Sequence, residues 1–134
     1  MNITSVVARI YLASEQLETS ISFYERLLGQ LCRIRFVYAE AGIELAAVGS
    51  LLLIAGQEAA LEPLRAVAMT ISVSSLSACR DVLLSEGATI VDGPQPVPTG
   101  LNMHVRHADG TLVEYVQLIA EKVAAVNLVR RRDV

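Results

Sequence analysis

The sequence predicts an α+β fold of two βαβββ modules within one domain. An order of strand, helix, strand and hairpin runs through the first half and repeats in the second. The composition also fits a single domain with an aliphatic core: 134 residues, 53% hydrophobic, 4% aromatic and no tryptophan. A chain of this length buries a core without disulfides or metals to hold it.

In the first half, Ser5 to Ala13 reads as a strand, rich in β-branched and aliphatic residues. Ser14 is a candidate helix cap, and Leu17, Ile21, Tyr24, Leu27 and Leu28 recur at helical spacing up to Gly29. Ile34 to Glu40 has strand composition. Ile43 to Val48 and Leu51 to Ala55 flank Gly49-Ser50, the pattern of a hairpin. Gln57 to Arg65 is polar, contains Pro63 and reads as a connector.

The second half begins with a strand from Val67 to Val73. Ser74 or Ser75 is a candidate cap, and Leu76, Cys79, Val82 and Leu83 form the apolar face of a helix that Gly87 ends. Thr89 to Val91 is a short strand, and Gly93 to Gly100 reads as a loop holding three of the four prolines. Leu101 to His107 and Thr111 to Leu118 form a second hairpin around Ala108-Asp109-Gly110. Ile119 to Val129 is either a last amphipathic helix or a strand extension with a tail. The boundaries are a first module over 5–56, a connector over 57–66, a second module over 67–118 and a C-terminal extension over 119–134. Setting Leu17 on Leu76 places Arg9 on Ala68, and a slightly larger offset places Leu53 on Glu114.

Charge and cysteine content exclude several classes. The net charge is −3, and the basic residues are scattered apart from Arg130, Arg131 and Arg132. A nucleic-acid partner needs a basic face and is not expected, and the arginine run reads as a solvated tail. Cys32 and Cys79 stand far apart with no CxxC pattern, so they read as free, reduced thiols. No uninterrupted apolar span is long enough to cross a bilayer, and no signal-type leader is evident; a cytoplasmic protein without a membrane partner is expected. Nucleotide-binding loops and nucleophile elbows are missing.

Three stretches carry a family resemblance: Leu17 to Gly29 (LETSISFYERLLG), Leu76 to Ala88 (LSACRDVLLSEGA) and Val97 to Gln117 (VPTGLNMHVRHADGTLVEYVQ). Over residues 5 to 118 the chain resembles the vicinal oxygen chelate superfamily of glyoxalases, bleomycin- and fosfomycin-resistance proteins and extradiol dioxygenases. The closing hairpin is the more specific part, with its Asp-Gly turn before a strand bearing Glu114. The resemblance implies a curved mixed sheet with helices on its outer face, a homodimer, and pockets each walled by one half from each chain.

Metal-using members carry His and Glu ligands on the first and last strands of each module. Those positions fall here on Arg9, Leu53, Ala68 and Glu114. Arg has no lone pair to offer, and Leu and Ala have no ligand atoms, so neither metal nor cofactor is expected. Strand alternation then names the ligand-binding candidates: Arg9, Tyr11, Thr70, Ser72, Leu112 and Glu114, with Met103 or His104 depending on register. The expected function is metal-free binding of a small organic ligand, of the bleomycin-resistance type. The alternatives are a lyase, isomerase or dioxygenase of the same superfamily using Glu114, and a non-catalytic dimeric interaction module.

Overall fold

A computed structural model describes residues 1–129 of the chain. The Arg130–Arg132 run lies outside the described residues. Eight strands and four α-helices are present among those described, which confirms the α+β class. The chain groups into two compact units, each a βαβββ module in element order.

The first unit comprises Val7–Arg65 and the chain from Ala124 onward. Its elements are β1 (Ile3–Leu12, from Val7 on), α1 (Leu17–Leu28), β2 (Ile34–Tyr38), β3 (Ile43–Val48), β4 (Leu51–Gly56) and the short α2 (Glu58–Leu61). The strands lie in the order β2-β3-β4-β1, with β1 parallel to β4 and the other pairs antiparallel. Gly49 turns the β3–β4 hairpin at φ 56°, a conformation that favours glycine. Ser14 does not cap α1. It opens a 3₁₀ turn over Ser14–Gln16, where the Ala13 N–H donates to the Gln16 side chain at 3.0 Å. Gly29, at φ 65°, ends α1 as expected.

Alternation splits this sheet into two apolar faces. Ile10, Leu12, Ala46, Val48, Leu53 and Ala55 pack with Leu17 and Ile21 of α1. Leu27 and Leu28, in the last helical turn, stay exposed rather than joining that stripe. The opposite face carries Val7, Phe36, Leu45, Leu52 and Ile54, with Leu61, Leu64 and Val126 packed against it.

At the end of the strand order, β2 has one flank without a strand neighbour. Asn127, buried to 3% exposure, serves that flank. Its Oδ1 accepts from the Arg35 N–H at 3.0 Å and its Nδ2 donates to the Arg33 carbonyl at 3.3 Å. One side chain thus stands in for a strand partner. Removing it orphans two backbone groups, so Asn127→Ala should lower unfolding free energy by about 1–3 kcal/mol in urea titration. A change within error would contradict this role.

The second unit comprises Met1–Val6 and Ala66–Val123. Its elements are β5 (Met69–Val73), α3 (Leu76–Ser85), β6 (Thr89–Val97), β7 (Gly100–Arg106), β8 (Leu112–Leu118) and the start of α4 (Ala120–Val126). The order is β5-β8-β7-β6, with β5 parallel to β8. Of the two candidate caps, Ser75 is used: its Oγ accepts from the Ala78 N–H at 3.2 Å. Leu76 and Cys79 of α3 pack on Ile71, Val73, Met103, Val105, Val113 and Tyr115. Within the C-terminal extension Ala120–Val126 forms a helix, the first of the two readings for Ile119 to Val129.

One expectation fails outright. The Pro/Gly stretch from Gly93 is not a loop but part of β6, which runs on to Val97. Its register slips at Asp92 and again before Gln95. An outermost strand tolerates prolines because the missing N–H faces no ladder partner. Gly93 is required there, since a Cβ would meet the Asn102 carbonyl oxygen at 2.6 Å.

Both cysteines are free and buried, and burial pushes both thiols up. A thiol reagent at mildly alkaline pH should therefore modify neither until the protein is unfolded. Reaction of either at the rate of an exposed cysteine would show that its packing is wrong.

Candidate functional site

Strand pairing in the second unit assembles a polar group on the face turned away from α3. Thr70 pairs with Glu114 across β5 and β8, and His104 pairs with Glu114 across β7 and β8. Asn102 pairs with Val116, and Ser72 also pairs with Val116 from the other side. Residues paired this way share a face, so Thr70, Ser72, Asn102, His104, Leu112 and Glu114 lie together on it.

The Glu114 carboxylate is held at both oxygens. Its Oε1 accepts from Thr70 Oγ1 at 2.9 Å, and its Oε2 accepts from Asn102 Nδ2 at 2.8 Å. Gln95 Nε2 in turn donates to Asn102 Oδ1 at 3.0 Å, fixing the amide orientation. Thr70, Ser72 and Asn102 are buried, while Glu114 is half-buried. Burying polar groups on a strand face is costly unless each is satisfied, and this chain of bonds satisfies the Thr70 hydroxyl and the Asn102 amide oxygen.

The alternative left open between Met103 and His104 resolves in favour of His104. Met103 was a ligand-binding candidate, but pleating turns it to the opposite face, fully buried in the core under α3. His104 shares the face of Glu114 but is tied elsewhere. Its Nδ1 lies 2.7 Å from Asp92 Oδ1, which also accepts the His104 backbone N–H at 3.2 Å. Asn102 was not among the candidates. The signal for it was present: it stands two residues before His104, and alternation assigns both to one face or neither.

In the first unit, Arg9 and Tyr11 come together. Arg9 Nη1 donates to the Tyr11 hydroxyl at 3.0 Å, and that hydroxyl donates to the Leu64 carbonyl at 2.6 Å. The pair therefore ties β1 to the connector. Leu53, the position matched to a family ligand, lies on the α1 face at 0% exposure. Arg9 pairs with Leu52 and Tyr11 with Ile54, so Ile54 stands to Tyr11 as Glu114 stands to Thr70. The slip of one residue follows from unequal hairpins. Two residues separate β3 from β4, whereas five separate β7 from β8, and one residue of slip exchanges faces. The correction substitutes one aliphatic side chain for another.

The donor set around Glu114 does not fit a transition-metal ion. Such sites take about three protein ligands of His, Cys or carboxylate type. Here one carboxylate is gripped by a hydroxyl and an amide N–H₂, and His104 is engaged by Asp92. Among the described residues, no three His, Cys, Asp or Glu side chains cluster as a metal site would require. No described helix is long and apolar enough to cross a membrane.

The duplicated module, with its parallel β1–β4 and β5–β8 pairs, is a fold that several solved structures share. The chain is of one family with a protein of uncharacterised function from Methanosarcina mazei. That structure is 42% identical, with a TM-score of 0.82, over 89% of this chain and 95% of the other. Methylmalonyl-CoA epimerase from Mycobacterium tuberculosis shares the fold at 21% identity and a TM-score of 0.67, over 91% of this chain and 93% of that one. A Streptomyces coelicolor methylmalonyl-CoA epimerase in complex with 2-nitronate-propionyl-CoA shares it at 18% identity and a TM-score of 0.60, over 85% and 97%. No family model and no curated protein matches the chain.

Proposed function

We propose that the protein binds a small organic molecule without a metal ion, and that Glu114 anchors a basic or hydroxyl group of that molecule. The observation that carries this reading is the Thr70–Glu114–Asn102 arrangement: a carboxylate on a sheet face, oriented in advance by donors to both oxygens. A carboxylate so held loses little freedom when a ligand donor reaches it, and a charge-assisted hydrogen bond is among the stronger single anchors. Thr70 and Ser72 would line the same surface as small polar neighbours, with Leu112 as an apolar one.

A panel of cationic, aromatic, peptide-like antibiotics, bleomycin among them, tests this by calorimetric titration of chelator-treated protein. Binding of at least one member is expected. Silence across the whole panel would overturn the bleomycin-resistance-type reading. The superfamily likeness also supports a homodimer, which light scattering checks against the 14.4 kDa chain mass.

The epimerase neighbours favour a second reading, an acyl-CoA epimerase. Epimerisation removes a proton on one side of a carbon and returns it on the other. Thr70 and Asn102 hold Glu114 as an anchor, and a second acid–base group for epimerisation would come from the His104–Asp92 pair on the same face. Solvent-deuterium incorporation into methylmalonyl-CoA above the uncatalysed rate would establish this second reading over the first.

A further inference from the structure

The first unit contains a cavity of about 320 Å³ that the Glu114 arrangement does not use. It lies between the end of β1, the 3₁₀ turn at Ser14–Gln16, and the connector after β4. Tyr11, Ala13 and Leu61 give it an apolar side, and Glu58 and Arg65 a charged one. Its volume falls at the lower end of the range for small-molecule sites.

Two features single out Arg65. Its guanidinium carbon lies 5.6 Å from the centre of the Tyr11 ring, close enough for a cation–π contact. That ring is itself held in place by the bond from its hydroxyl to the Leu64 carbonyl. Arg65 also grips Glu58 with two parallel hydrogen bonds, Nε to Oε1 at 3.1 Å and Nη2 to Oε2 at 2.8 Å. The two partners differ in exposure, 45% for the Arg65 side chain and 68% for Glu58. The cation is therefore backed by an aromatic wall, while the carboxylate that meets it reaches in from solvent. Exposed ion pairs hold weakly, so a competing carboxylate displaces Glu58 at small cost.

We propose that this cavity is a site for a small organic carboxylate, and that Glu58 occupies the carboxylate's place on Arg65 when no ligand is bound. The ligand's carboxylate would take the two-pronged contact, and its apolar body would rest on Tyr11 and Leu61. Fork-to-carboxylate geometry selects this class over a point-charge anion. The site is read from the first unit alone and does not depend on the function proposed for Glu114.

Benzoate is the probe, titrated by calorimetry and followed by amide chemical shifts of residues 57–65. Removing the internal competitor with Glu58→Gln should tighten benzoate binding by about 2–5-fold. Arg65→Lys, which keeps the charge but loses the fork, should weaken it at least 5-fold in the Glu58→Gln background. Acetate should bind more weakly than benzoate, because it lacks the apolar body. Thermal unfolding of each variant checks that the fold is intact. Equal benzoate affinity in wild type and Glu58→Gln, or undiminished affinity with Arg65→Lys, would overturn the proposal. Inorganic phosphate binding as tightly as benzoate would also overturn it, since phosphate matches the fork but has no apolar body to rest on Tyr11 and Leu61.

Discussion

Glu114→Ala should weaken binding of a cationic ligand by about 10–100-fold, the loss of one charge-assisted hydrogen bond to a pre-oriented anchor. It should also lower unfolding free energy by about 1–3 kcal/mol, because the buried Thr70 hydroxyl and Asn102 amide each lose an acceptor. The two effects separate with Glu114→Gln. The amide keeps one oxygen to accept a bond and keeps the volume, so stability should recover in part while binding stays weak. Calorimetry gives the affinity and urea titration the stability. Full binding by Glu114→Gln would mean that shape, not charge, holds the ligand at this position.

Met103→Ala should do the reverse. Met103 is fully buried among Ile71, Val73, Val105 and Tyr115, so truncating it leaves a cavity and should cost about 2–5 kcal/mol. Ligand affinity should not change, because Met103 lies on the sheet face opposite Glu114. The neighbouring Asn102→Ala should reduce both, since Asn102 is buried and donates directly to Glu114 Oε2. Thermal unfolding alongside ligand titration of the two variants therefore reads out which face each residue occupies. Loss of affinity in Met103→Ala at unchanged stability would place the residue in the pocket after all.

The frame was legible in the sequence wherever period and punctuation agreed. Leu17 and Ile21 recur at helical spacing before Gly29, and both helices start at the leucines set in register, Leu17 and Leu76. The start of β6 at Thr89 to Val91 was legible, but its continuation to Val97 was not. Prolines and glycines there speak for a loop, and only its place at the outside of the strand order makes them compatible with pairing. The site was half legible. Thr70, Ser72, Leu112 and Glu114 follow from alternation once the strands are fixed. Asn102 and the exclusion of Met103 depend on the register across the β7–β8 turn, which composition does not set. Leu53 failed for the same reason in the first hairpin. Tyr11 illustrates a different limit: alternation finds its face but not its hydroxyl's partner, Leu64, which lies far along the chain.

The most direct test of metal-free binding through Glu114 is one paired titration. Wild-type protein and Glu114→Gln are each titrated with metal-free bleomycin, before and after exhaustive treatment with chelator. Wild-type affinity should be the same in both states, and the variant should bind at least 10-fold more weakly in both, as loss of one charge-assisted bond requires. Wild-type binding that disappears with chelator and returns with a divalent ion would contradict metal-free binding. Equal affinity in wild type and variant would contradict the role of Glu114.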